Sequence, residues 1–138
     1  MARMRAKTQS AGETEAFGAE LASRLKAGDV VLVRGELGSG KTTFVRGACR
    51  ALGVEGPVTS PTFTIGHLYE GSVEVAHLDL FQLDSLDGED PALLDDYLTP
   101  DRIVFVEWPE AALPEIERIA HEVRLEHGGG DGRLVTVE

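Results

Sequence analysis

The sequence predicts an α/β fold: a mixed, mostly parallel sheet with helices on both faces and an antiparallel hairpin. Three observations carry that expectation. An apolar run at 30–33 passes into the glycine-rich stretch G-E-L-G-S-G-K-T at 35–42 and then into a helical pattern, T-F-V-R-G-A-C-R-A-L, so a strand, a loop and a helix follow one another directly. Two β-rich runs, 63–69 and 73–78, flank Glu70, Gly71 and Ser72, which is the composition of a hairpin. A second continuous apolar run, 103–106, has the character of a strand covered on both faces. No repeat or linker breaks the pattern, and 138 residues suit a single domain, 1–138, with one core.

In chain order, residues 3–9 predict an edge strand. Ser10 and Glu13 then stand in capping-box spacing, and Phe17, Leu21 and Leu25 recur every fourth residue, predicting a helix over 11–26 that stops before Gly28. Residues 29–34 form the strand that feeds the glycine-rich loop, and 41–52 the helix that leaves it, ended by Gly53. The stretch 84–98 has room for one or two short helices broken near Gly88 and Pro91. A short helix or turn is expected after Pro114, followed by strands at 119–126 and 133–137 joined by G-G-G-D-G.

Charge narrows the partners. With 24 acidic against 13 basic residues the net charge is -11, and no Lys or Arg occurs between Arg50 and Arg102, where Asp84, Asp87, Glu89, Asp90, Asp95, Asp96 and Asp101 cluster. Such a surface repels a phosphodiester backbone, so any nucleic acid is expected to be reached only indirectly. The acidic stretch is either a solvated face or a docking surface for a basic protein partner. The single cysteine, Cys49, falls with Phe44, Val45, Ala48 and Leu52 on one helix and reads as a small buried hydrophobe. No apolar run approaches the roughly 18 residues of a membrane span, and the N-terminal M-A-R-M-R-A-K-T lacks the apolar core of a signal peptide, so a cytoplasmic protein with no membrane contact is expected.

The stretch at 35–42 matches the phosphate-binding pattern G-x-x-x-x-G-K-[ST] in its strand-loop-helix setting. Lacking a Cβ, Gly35, Gly38 and Gly40 let the backbone of Gly35, Glu36, Leu37, Gly38, Ser39 and Gly40 turn its N–H groups around an anion. Lys41 supplies a mobile positive charge, Thr42 a hydroxyl for Mg²⁺, and the helix start at Thr42 and Thr43 a partial positive charge. This is a P-loop nucleotide site, and hydrolysis there needs acids. Glu107 ends the strand 103–106 and Asp79 ends V-E-V-A-H-L-D, both at the edge where open α/β sheets place ligands. Either acid could hold Mg²⁺, directly or through water, or orient the attacking water. Thr59, Ser60, Pro61, Thr62 and Phe63 form a hydroxyl-bearing loop before a strand, either an ordinary turn or a switch-like loop that feels the γ-phosphate. His67 and His77 lack a third ligand at metal spacing and read as structural. Trp108, directly after Glu107, is either a core cap or an aromatic wall of the site.

Rival activities fit less well. Small-molecule kinases close an arginine-bearing lid over the phosphate, and the candidate lid region here is acidic. A GTPase is disfavoured because no [NT]-K-x-D motif accompanies the only lysines, Lys7, Lys26 and Lys41. A nucleotide-responsive binding module stays open beside an ATPase.

Taken together, G-E-L-G-S-G-K-T-T, S-P-T-F at 60–63, H-L-D-L-F at 77–81 and V-E-W-P-E at 106–110 resemble, in order and spacing, the TsaE family, small bacterial ATPases of tRNA threonylcarbamoyladenosine formation. The resemblance spans nearly the whole chain. It implies ATP and Mg²⁺, a cytoplasmic location, and partners TsaB and TsaD acting with it on adenosine 37 of tRNAs reading codons that begin with A. By the same resemblance Lys41 and Thr42 bind phosphate and metal, Glu107 is the Walker B acid, Asp79 a second active-site acid, and 60–63 a switch-like loop. One departure stands out: the family's H-x-D-x-Y-R motif here ends in Phe81 and Gln82, so an aromatic is kept and a cation lost. Arg34, Arg46 and Arg102 are the candidate cis arginines, none well placed by sequence, which predicts that an arginine comes from a partner.

Overall fold

The computed structural model describes residues 4–61, 65–81 and 94–138. Seven strands form one sheet: β1 (Met4–Thr8), β2 (Val30–Arg34), β3 (Gly66–Tyr69), β4 (Glu74–Asp79), β5 (Arg102–Glu107), β6 (His121–His127) and β7 (Arg133–Val137). Their spatial order is β1-β7-β6-β2-β5-β4-β3. The central four, β6, β2, β5 and β4, run parallel, and antiparallel pairs close both edges, β3 on β4 and β1 and β6 on β7. The predicted hairpin is therefore one of two.

Two helices, α1 (Ala11–Ala22) and α2 (Lys41–Ala51), share one face of the sheet, with Leu21, Phe44, Val45 and Cys49 packed on Val31, Val33, Phe105 and Val123. The other face is covered by a 3-10 helix, Pro109–Glu115, and by the turn at 94–97, which pack around Leu32, Val104 and Val106. Helices on both faces thus take the form of two α-helices on one side and a 3-10 helix on the other. This 3-10 helix precedes and contains Pro114, where the sequence placed a turn after it; Pro109 at its first position suits a helix start.

The first helix is shorter than its periodicity predicts. Ser10 caps it by accepting from Glu13 N as expected, but it ends at Ala22 rather than 26. Ser23 Oγ donates to the Glu20 carbonyl, and Asp29 Oδ2 accepts from Lys26 N, closing the chain into turns while Leu25 still packs on the core. The two α-helices cross closely at glycines. A Cβ on Gly47 would lie 1.9 Å from the Glu15 carbonyl oxygen, and one on Gly18 2.2 Å from that of Phe44. Of the helices expected over 84–98, residues 82–93 lie outside the described part.

Register positions the site. In the parallel pair β4–β5, Asp79 lies beside Glu107 and His77 beside Phe105. Side chains alternate across a strand, so Val75, His77 and Asp79 share the helix-covered face with Ile103, Phe105 and Glu107.

Candidate functional site: the loop, two acids and an unexpected arginine

The loop after β2 turns through left-handed glycines, Gly38 at φ 76° and Gly40 at φ 97°, which only glycine takes without strain. Gly40 is the N-cap of α2 and provides no side-chain cap, so among the described residues the start of the helix is uncapped by a side chain. Ser39 Oγ is fully buried without a hydrogen-bond partner among the described residues, and a Cβ at position 35 would lie 2.3 Å from it. These features fit an anion cradle whose own polar groups are left for a ligand.

Lys41 is almost fully buried. Its Nζ donates to the carbonyls of Gly35, at 2.6 Å, and Glu36, at 3.0 Å, leaving the third donor of the ammonium. The Trp108 ring lies 4.3 Å from Nζ, a cation–π contact, and Trp108 itself is held at φ 53°, the one non-glycine positive φ among the described residues. The Phe81 ring lies tilted against the same indole, with centroids 4.8 Å apart. Trp108, half-buried, lines the same cavity as Lys41. Burial pulls the Lys41 ammonium below the usual lysine range, and the Glu107 and Asp79 carboxylates partly offset this.

Across from the loop, Thr42 Oγ1 donates to Glu107 Oε2 at 3.2 Å. Asp79 accepts twice, on Oδ2 from Ser60 Oγ at 2.8 Å and on Oδ1 from Phe81 N at 3.0 Å. Ser60 of the expected switch-like loop thus touches the second acid, and Pro61 follows it; Thr62 and Phe63 lie outside the described residues. A cavity of about 370 Å³ is lined by Leu37, Gly38, Gly40, Lys41, Thr42 and Thr43 on the loop side, with Ser60, Asp79, Glu107, Trp108 and Arg133 around it. A second cavity of about 580 Å³, between Arg34, Gly35, Glu36 and Arg124, shares Trp108 with the first and includes neither Lys41 nor Asp79 nor Glu107. Among the described residues no group of three His, Cys, Asp or Glu could hold a metal. The hard oxygens of Thr42 and Glu107 suit Mg²⁺ instead, which keeps water and phosphate in its shell and needs few protein ligands.

Two residues of this site were not assigned to it from sequence. His77 Nε2 lies 2.5 Å from Glu107 Oε2, both groups being buried, so this histidine belongs with the acid rather than simply with the core. The signal was present, since residues 77 and 79 share strand parity. Arg133, at the start of β7, donates to the Ser39 and Gly38 carbonyls of the loop, each at 3.0 Å, and to those of Gly130 and Gly132 at 2.9 and 2.7 Å. The weighed cis arginines are occupied elsewhere: Arg34 with Glu110 and Glu122, Arg46 with the Val58 carbonyl, and Arg102 with Glu74 at the opposite end of β5. A cis arginine therefore does line the cavity, and it is Arg133. Nothing in sequence ties position 133 to the loop some 94 residues earlier; the strand order does.

Fold and loop together define an α/β domain built on a strand, a glycine-rich loop and a helix, with two acids across from it. The family profile described as "Threonylcarbamoyl adenosine biosynthesis protein TsaE" matches residues 8–135, and this chain belongs to that family. It is 40% identical over 114 residues to the tRNA threonylcarbamoyladenosine biosynthesis protein TsaE of Synechocystis, covering 75% of this chain and 68% of that one. It is 31% identical to the protein of the same name from Bacillus subtilis, over 99% and 85% of the two chains. The crystal structure of Bacillus subtilis YdiB superposes with a TM-score of 0.81 at 28% identity, covering 99% of this chain and 84% of that one. The chain is thus a member of a tRNA threonylcarbamoyladenosine biosynthesis family. No helix among the described residues is long and apolar enough to cross a membrane.

Proposed function

We propose that this protein binds ATP with Mg²⁺ at residues 35–43 and hydrolyses it slowly, as the ATPase that acts with TsaB- and TsaD-type partners in threonylcarbamoylation of tRNA adenosine 37. The observation that carries the reading is the convergence of Lys41, Thr42, Glu107 and Asp79 on one cavity, with the Thr42 hydroxyl already bonded to Glu107. Backbone N–H groups of the loop and the uncapped start of α2 cradle the phosphates, and Lys41 adds its charge. Thr42 and Glu107 would hold Mg²⁺, which when bound neutralises charge on the phosphate oxygens. Asp79 fixes Ser60 near the γ-phosphate position and shares with Glu107 the placing of water. Arg133 is engaged by four carbonyls, so it braces the loop instead of reaching freely for developing charge. Slow turnover in isolation follows, with acceleration when a partner docks. The acidic stretch 84–101 is the docking face in this reading; of its described acids, Asp95, Asp96 and Asp101 are exposed. With a net charge of -11, tRNA is engaged through the partners and not by this chain alone, and the setting is cytoplasmic.

The test is Mg²⁺-dependent ATP turnover of the purified protein and of Lys41→Ala, alone and with the TsaB and TsaD pair, at low and high salt. Turnover that needs Lys41 and rises with partners, fading with salt, supports the reading. Wild-type turnover in Lys41→Ala contradicts the site, and fast turnover indifferent to partners contradicts the docking.

A further inference from the structure

A polar group buried as deeply as His77 is costly unless its hydrogen bonds are made, and His77 spends its Nε2 on Glu107. Among the described residues both hydrogen bonds to the Glu107 carboxylate, from Thr42 and from His77, end on Oε2 and none on Oε1. A carboxylate with one oxygen gripped by two donors cannot swing about its terminal torsion, so its other oxygen points in a fixed direction. For that grip we assign the imidazole the tautomer with N–H at Nε2, which lets it donate to the carboxylate. The ring is steadied from its other side by Tyr69, whose hydroxyl stands 3.5 Å from Nδ1, a contact rather than a full hydrogen bond. The same hydroxyl lies 3.3 Å from the Thr59 carbonyl, next to Ser60.

We propose that His77 is a positioning residue for hydrolysis: it clamps Glu107 Oε2, aims Oε1 at the ligand, and is itself steadied by Tyr69 of β3, whose hydroxyl also reaches the Thr59 carbonyl beside Ser60. The inference rests on reading Glu107 as an acid of an ATPase site. It assigns His77 no contact with nucleotide and no part in proton transfer. Outer partners of this kind orient a working ligand, and their loss commonly costs about 10- to 100-fold in activity.

The experiment compares wild type, Lys41→Ala, His77→Leu and His77→Gln for kcat, ATP KM and thermal unfolding in Mg²⁺. Leucine fills the apolar space without a donor, whereas glutamine is long enough to set an amide N–H near the position of the ring Nε2. The expected result is a kcat about 10- to 100-fold lower in His77→Leu with KM within about threefold of wild type, and recovery of most of that loss in His77→Gln. Wild-type kcat in His77→Leu overturns the inference while leaving the ATPase reading intact. Equal losses in both variants, in step with a lowered unfolding temperature, overturn it in favour of a purely structural histidine. If the wild type shows no Lys41-dependent turnover, the ATPase reading falls and takes the inference with it.

Discussion

On the β5 side of the glycine-rich loop stand two acid–donor groups drawn from separate segments, Glu107 with Thr42 and His77, and Asp79 with Ser60. On the β6 side, one arginine, Arg133, ties four backbone carbonyls of the loop and of the β6–β7 hairpin together. The first flank is built of side chains, and among them Glu107 keeps its Oε1 for a ligand. The second is built of backbone held by a cation with little capacity to spare. The difference teaches that one loop can be given reactivity from one side and posture from the other, and that the two should fail differently when broken.

The largest effect is expected on the acid side. Glu107→Gln keeps the shape but removes the charge, and hydrolysis should fall by about 10²-fold or more. Asp79→Asn should fall by about tenfold, since the amide keeps one oxygen for Phe81 N or Ser60. Single-turnover rates of the two variants measure this directly; a larger loss in Asp79→Asn exchanges the roles of the acids.

A lesion remote from both flanks sharpens the comparison. Gly47→Ala drives a methyl into the Glu15 carbonyl, at 1.9 Å, and should cost about 2–3 kcal/mol in urea unfolding with the rate per folded molecule unchanged. A lowered rate in the folded fraction would mean that helix packing, and not the flanks alone, sets the site.

The smallest effect concerns Cys49, whose thiol is pushed up to about 12 by burial. In the unfolded chain it ionises near pH 9, so above that pH the native state binds more protons than the unfolded state and stability falls as pH rises toward 12. Between pH 8 and pH 10 the thiol's share of the loss should be about 1.4 kcal/mol, read as the difference in the pH dependence of denaturant unfolding between wild type and Cys49→Ala. An identical pH dependence in both proteins would place the effect elsewhere.

Most of the fold was legible in the sequence because local pattern and tertiary demand agree there. The β-rich run of β4, the apolar runs of β2 and β5 and the glycines of the loop point to the elements observed, and the two acids follow from strand ends. The first helix was overextended because Leu25 keeps the helical period while packing from a turn. The site residues that escaped did so for different reasons. His77 shares strand parity with Asp79, so its alignment was readable, but its bond to Glu107 needs the β4–β5 pairing. Arg133 became visible only when the order β2, β6, β7 brought a glycine hairpin against the loop.

The most direct test sets Glu107→Gln beside Arg133→Ala and measures, for each, equilibrium ATP affinity and the single-turnover hydrolysis rate. The account predicts opposite splits. Glu107→Gln should bind ATP within about threefold of wild type while losing its rate. Arg133→Ala, missing one or two net hydrogen bonds that hold the loop, should bind about tenfold more weakly while the rate of bound ATP changes by less than about threefold. A rate loss in Arg133→Ala as large as that in Glu107→Gln, at unchanged affinity, would contradict the division between a reactive flank and a bracing one.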